Sequence, residues 1–174
     1  MEKGYARFAT KEIHQDSIVD GEGIRSVIWF QGCSHNCVGC HNPETHDFNA
    51  GEIVSLEEMK AKIDELEYQS GVTFSGGDPM MQVEALAELA SYVHEKGMNV
   101  WCYTGFTFEE LLVLAEKNDN YLKALNEIDV LVDGKFVLDL KSFDVQFRGS
   151  SNQRIIDVAK SLKDKKVVKI EKYR

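Results

Sequence analysis

The sequence predicts an α/β fold, an open or partial (β/α) barrel within a single domain spanning residues 1–174, and three observations carry that expectation. Strand-like and helix-like periodicities alternate along the chain, the pattern of strand–loop–helix units. No Pro/Gly/Ser-rich linker, repeat or low-complexity segment divides it, and 174 residues at 43% hydrophobic suffice for one real core. The segments richest in cysteine, glycine and acid follow predicted strands, where the loops of a parallel sheet converge on one ligand.

Each element has its local reason. "RSVIWF", residues 25–30, is a β-rich run, and a loop over 31–52 follows it. Ser55 and Glu58 form a capping-box pattern opening "SLEEMKAKIDELEYQ", in which Leu56, Met59, Ile63 and Leu66 recur at helical spacing before Gly71. "VTF" reads as the next strand, ending in "SGGDP". A helix over about 81–96 stops at Gly97, and "NVWCYTG" reads as strand and turn. "FEELLVLAEKN" and "DVLVDG" add a helix and a strand, and "FDVQFRGSSNQRIIDV" and "KVVKIEKY" read as short strands around a lysine-rich helical turn. The expected sheet is parallel, with right-handed crossovers.

Charge and hydropathy exclude whole classes of function. Twenty-nine acidic against twenty basic residues give a net charge of -9, which argues against a nucleic-acid partner. No apolar run approaches the roughly 20 residues of a membrane helix, and "MEKGYARFATKEIHQ" lacks the apolar core of a signal peptide, so the expected location is cytoplasmic. In that reducing compartment clustered cysteines read as metal ligands or redox groups, not disulfides.

"GCSHNCVGCHNPET" places Cys33, Cys37 and Cys40 at x3 and x2 spacing, with Cys102 far away. Three thiolates can hold three irons of a 4Fe-4S cluster and leave the fourth open to a small ligand. The alternative is zinc, completed to a tetrahedral set by His35, His41 or Cys102 in a binding adaptor. Downstream, Gly76 and Gly77 end a strand where missing Cβ atoms would let a ligand approach, and Asp78 before Pro79 would accept hydrogen bonds from an ammonium group.

The cysteine spacing resembles the radical S-adenosylmethionine superfamily. "VDGEGIR" before it and "CHN" within it resemble the activating enzymes of glycyl-radical enzymes. "VLVDGKF" and "QFRGSSNQRIID" are similar to the activating proteins of anaerobic ribonucleoside-triphosphate reductase, a likeness running over about 16–157. That resemblance implies a 4Fe-4S cluster, one per chain, on Cys33, Cys37 and Cys40, with S-adenosyl-L-methionine as second cofactor. It implies ligand contacts at Gly39, Cys40, His41, Gly76, Gly77 and Asp78, and no catalytic side chain, the chemistry being the cofactors' own. The implied partners are the large subunit of the reductase, on which a glycyl radical is generated, and a flavodoxin-like or other low-potential electron donor. Another glycyl-radical enzyme or a small molecule is the alternative substrate. Two positions depart from the family pattern: Gly39 stands where an aromatic residue is common, and Asp78 where glutamate is.

Other polar positions have plainer expectations. Cys102, between Trp101 and Tyr103, reads as a small buried hydrophobe. Arg25, Arg148 and Arg154 read as surface ion pairs, and Asp133 as a turn residue or a ribose contact.

Overall fold

The computed structural model describes residues 1–173 and is built on one eight-stranded sheet. Its strands are β1 (Tyr5–Phe8), β2 (His14–Ser17), β3 (Arg25–Phe30), β4 (Glu52–Ser55), β5 (Gly71–Gly76), β6 (Asn99–Tyr103), β7 (Val130–Asp133) and β8 (Arg154–Asp157). The order is β4-β1-β3-β5-β6-β7-β8, with β2 paired to β3 beside β1. The sheet is open, with β4 and β8 as its ends.

Only β3, β5, β6 and β7 are parallel to one another. The remaining pairings are antiparallel, so the wholly parallel sheet expected from the sequence is corrected to a mixed one. Four elements escape the periodicity. β1 and β4 are four-residue strands, β2 ("HQDS") has no apolar alternation, and α4 below is a seven-residue helix. The expected strand "KVVKIEKY" reduces to one bridge, Ile156 with Lys169.

The helices are α1 (Leu56–Asp64), α2 (Val83–Glu95), α3 (Phe108–Ala115), α4 (Asn120–Asn126) and α5 (Val158–Asp164). Helix α1 starts where predicted, with the Glu58 N–H donating to Ser55 Oγ, but ends earlier than its apolar pattern suggests. The Gln69 side-chain carbonyl there accepts the N–H groups of Glu67 and Tyr68 and fixes a turn. Helix α3 carries a full capping box between Thr107 and Glu110.

Alternation along the strands separates two apolar clusters. Val100 and Cys102 of β6, Leu131 of β7 and Ile156 of β8 join the main core with residues of all five helices. Their neighbours Trp101, Val132 and Ile155 face the other way and pack with Phe147, Ile170 and Tyr173, so the C-terminal segment covers the face that the helices leave. Arg25 is fully buried beside this second cluster, not on the surface. Its guanidinium donates to Thr73 Oγ1, Asn99 Oδ1 and the carbonyls of Glu22, Val72 and Asn99, and lies 5.5 Å from the Trp101 ring centroid. Burial among neutral acceptors pushes its pKa down to about 10.

Candidate functional site at the carboxyl ends of the parallel strands

The loops after β3, β5, β6 and β7 share one cavity of about 600 Å³. Cys33, Cys37 and Cys40 line it together with His35, His41, Gly76, Gly77, Thr104, Gly105, Gly134 and Phe136. A larger groove, about 1150 Å³, lies between the N-terminal residues, α2 and α4, and no cysteine or histidine lines it.

The three thiols are free and half-buried, and their loop is curled by residues with left-handed backbone: Gly32, Asn36 and Gly39. The N–H of Cys40 donates to the Cys37 carbonyl, and the N–H of Asn42 points to Cys40 Sγ at 3.4 Å. Such N–H···S contacts are among the means by which a protein tunes an iron–sulfur cluster. Burial pushes the Cys33 thiol up to about 11, against an opposing hydrogen bond from the His35 backbone. The bare pocket therefore disfavours the thiolate that a metal would stabilise.

This donor set fits a cluster better than a single zinc ion. Zinc at about 2.3 Å from each sulfur needs its ligands within about 4 Å of one another. A cluster takes each thiolate on a different iron. The proposed fourth zinc ligands are also committed elsewhere: His35 to Asp78, and Cys102, fully buried in the core with its pKa driven far up by burial, away from the cavity. His41 packs on Phe136 with ring centroids 4.9 Å apart.

Gly39 has φ +73, a backbone conformation that L side chains rarely adopt, and a Cβ there would meet only the end of the exposed Leu138 side chain, so the backbone rather than the space favours glycine. Gly76 and Gly77 line the cavity, yet the space where their Cβ atoms would go belongs to the protein. A Cβ on Gly76 would lie 2.4 Å from the Phe30 carbonyl oxygen, and one on Gly77 2.4 Å from that of Gly32. Close approach is needed here between the chain's own backbones.

Asp78 is the largest departure from expectation: it is fully buried and does not line the cavity. Its carboxylate accepts from Met80 N–H, Thr104 Oγ1, Gly105 N–H and His35 Nε2. Asp133 is likewise turned inward, bonded to the Phe108 N–H and Arg154, which also pairs with Glu109. It has no exposed surface to offer a ribose. Residues the sequence did not single out also line the cavity, among them Tyr103, Phe143 and Gln153. Gln153 is held by bonds to Gly134, Gly149 and Ser150.

Residues 19–156 match the family model "4Fe-4S single cluster domain". Curated relatives named "Anaerobic ribonucleoside-triphosphate reductase-activating protein" include that of Salmonella typhi, 38% identical over 145 residues (78% of this chain, 90% of the relative). Those of Escherichia coli K12 and of Enterobacteria phage T4 are 35% and 32% identical, over 78% and 82% of this chain and 90% of each relative. Among solved structures, the crystal structure of QueE from Escherichia coli matches at 19% identity and TM-score 0.47, over 59% of this chain and 53% of that one.

Proposed function

We propose a function from one premise: the chain belongs to the 4Fe-4S single cluster domain family and, within it, to the anaerobic ribonucleoside-triphosphate reductase-activating proteins. It is an activating enzyme that generates a glycyl radical on an anaerobic ribonucleoside-triphosphate reductase. The observation carrying this is the shared cavity, in which three free thiols meet the loops of all four parallel strands.

Cys33, Cys37 and Cys40 hold the cluster, and the absence of a fourth cysteine from the cavity lining leaves one iron for S-adenosyl-L-methionine. A cluster held there and reduced by a flavodoxin-like donor would supply the low-potential electron for reductive cleavage of S-adenosylmethionine, and so the hydrogen-abstracting chemistry directed at the glycine. The protein's part is to bind, orient and exclude water. The cavity volume falls within the roughly 300–1,000 Å³ of pockets for ligands of this size. Arg148 lines it, its guanidinium donating to the carbonyls of Gln146 and Gln153. Its guanidinium is suited to the carboxylate of the methionine moiety. His41 and Phe136 offer ring faces to the adenine.

A macromolecular substrate suits the rim. Ile18, Val19 and Phe143 border the cavity while remaining 70%, 70% and 92% exposed, an apolar margin that a docked polypeptide would cover. No described helix is long and apolar enough to cross a membrane.

Anaerobic reconstitution tests the proposal. The wild type should take up about four irons and four sulfides per chain and, with reductant, convert S-adenosylmethionine to 5′-deoxyadenosine. Cys37→Ala should lose both, while Cys102→Ala should keep both. Retained turnover in Cys37→Ala overturns the cluster assignment.

A further inference from the structure

The carboxylate of Asp78 has four donors and no solvent-exposed surface, and those donors come from three separate loops. Met80 N–H belongs to its own loop after β5, Thr104 Oγ1 and Gly105 N–H to the loop after β6, and His35 Nε2–H to the cysteine loop after β3. The His35 contact, 2.7 Å long, is a side-chain bond from within the Cys33–Cys37 interval to the rest of the fold.

The site is built to keep His35 there. Its ring meets Phe106 edge-on, with centroids 4.7 Å apart, and its side chain is 8% exposed. Gly105 makes the room: a Cβ at that position would stand 2.4 Å from His35 Cδ2 and 2.7 Å from Nε2. His35 thus ties the interval between Cys33 and Cys37 to a buried carboxylate through its side chain.

We infer that His35 and Asp78 are positioning residues for the cluster: they form a latch that fixes the first half of the cysteine loop, and Asp78 is not a contact of the methionyl ammonium group. The inference rests on the cluster reading above for its functional meaning, but the latch itself is a property of the chain. Aspartate suits this task at position 78, since its short side chain keeps the carboxylate among the backbone N–H groups at the strand ends. The cavity face of this loop is left to Gly76 and Gly77.

Three measurements on His35→Ala, His35→Gln and Asp78→Asn test it: amide hydrogen exchange over residues 33–40 in the metal-free protein, iron release to a chelator from the reconstituted protein, and S-adenosylmethionine affinity per intact cluster. His35→Ala should accelerate exchange and iron release about tenfold or more, as loss of a hydrogen bond to a charged acceptor does. Its affinity should change less than about threefold, below the tenfold step that a lost contact of that strength would bring. His35→Gln, whose amide N–H can reach the carboxylate, should restore much of the loss. Asp78→Asn should resemble His35→Ala or exceed it, and combining the two should add little to Asp78→Asn alone. Should Asp78→Asn fold poorly by circular dichroism, the two His35 variants decide the question.

Loss of affinity in Asp78→Asn with normal loop exchange and iron release would make the carboxylate a ligand contact and overturn the inference. Unchanged exchange and iron release in His35→Ala would overturn it equally. If the wild type holds no cluster, the proposed function fails, and the exchange experiment still decides whether the latch exists.

Discussion

Replacing Gly77 with alanine distinguishes two reasons for a glycine at the end of β5. The added Cβ would stand 2.4 Å from the Gly32 carbonyl oxygen and 2.9 Å from that of Thr45. Carbon–oxygen contacts settle at about 3.3 Å or more, so the cysteine loop must retreat by about 1 Å. That movement strains two bonds at Gly32: its carbonyl accepts the Asp78 N–H at 3.0 Å and its own N–H donates to Thr45 O at 2.8 Å. Overpacking costs about 1–3 kcal/mol, and each weakened backbone bond up to about 1 kcal/mol, giving about 2–4 kcal/mol in all. Urea unfolding of the metal-free protein, followed by circular dichroism, should show the midpoint fall by about 1–2 M at an ordinary slope. A midpoint within about 0.3 M of wild type, with S-adenosylmethionine binding lost in the reconstituted protein, would refute the reasoning. The space would then belong to the ligand, not to the protein's backbone.

Arg25→Met should destabilise the metal-free protein by about 2–4 kcal/mol, because it strands the buried acceptors of Thr73, Asn99 and Val72. Equal or greater stability in the same urea titration would mean that burying the cation costs more than its bonds return. His94 bonds Glu127 through Nδ1 and Asp129 through Nε2. Burial opposes its charge most strongly, but the two carboxylates together outweigh that and raise its pKa above the usual 6.5. A raised folded-state pKa contributes stability that is fully present below about pH 6.5 and fades as pH rises through the folded value. The thermal midpoint of wild type should therefore exceed that of His94→Gln by more at about pH 5.5 than at about pH 8.5, and a gap independent of pH would contradict this.

The cysteine motif was legible in the sequence because its spacing is local and thiol chemistry leaves few uses for it. Cys102 was legible too, since flanking aromatic residues in an apolar run mark a core strand. What Asp78 does was not legible. Its partners lie 43 positions earlier and 26 and 27 positions later, and only the sheet register brings them together. The same holds for Arg25, whose partner Asn99 is 74 positions away, and for Asp133, met by Arg154 across the β7–β8 pairing. Antiparallel β1, β2 and β4 were missed because four residues establish no period and these segments lack a continuous apolar run such as Val130 to Val132, from which the equally short β7 was read. The glycines at 76 and 77 show a subtler limit. Sequence marks a place where a Cβ is not tolerated, and the backbone at Phe30 and Gly32 shows what excludes it.

The most direct test incubates the anaerobically reconstituted protein with reductant, S-adenosylmethionine and an anaerobic ribonucleoside-triphosphate reductase, and examines the mixture by electron paramagnetic resonance. A glycyl radical signal on the reductase that needs all components and disappears with Cys37→Ala is the predicted result. Formation of 5′-deoxyadenosine with no glycyl radical on the reductase would contradict the assignment of this partner, and failure to form either would contradict the radical chemistry itself.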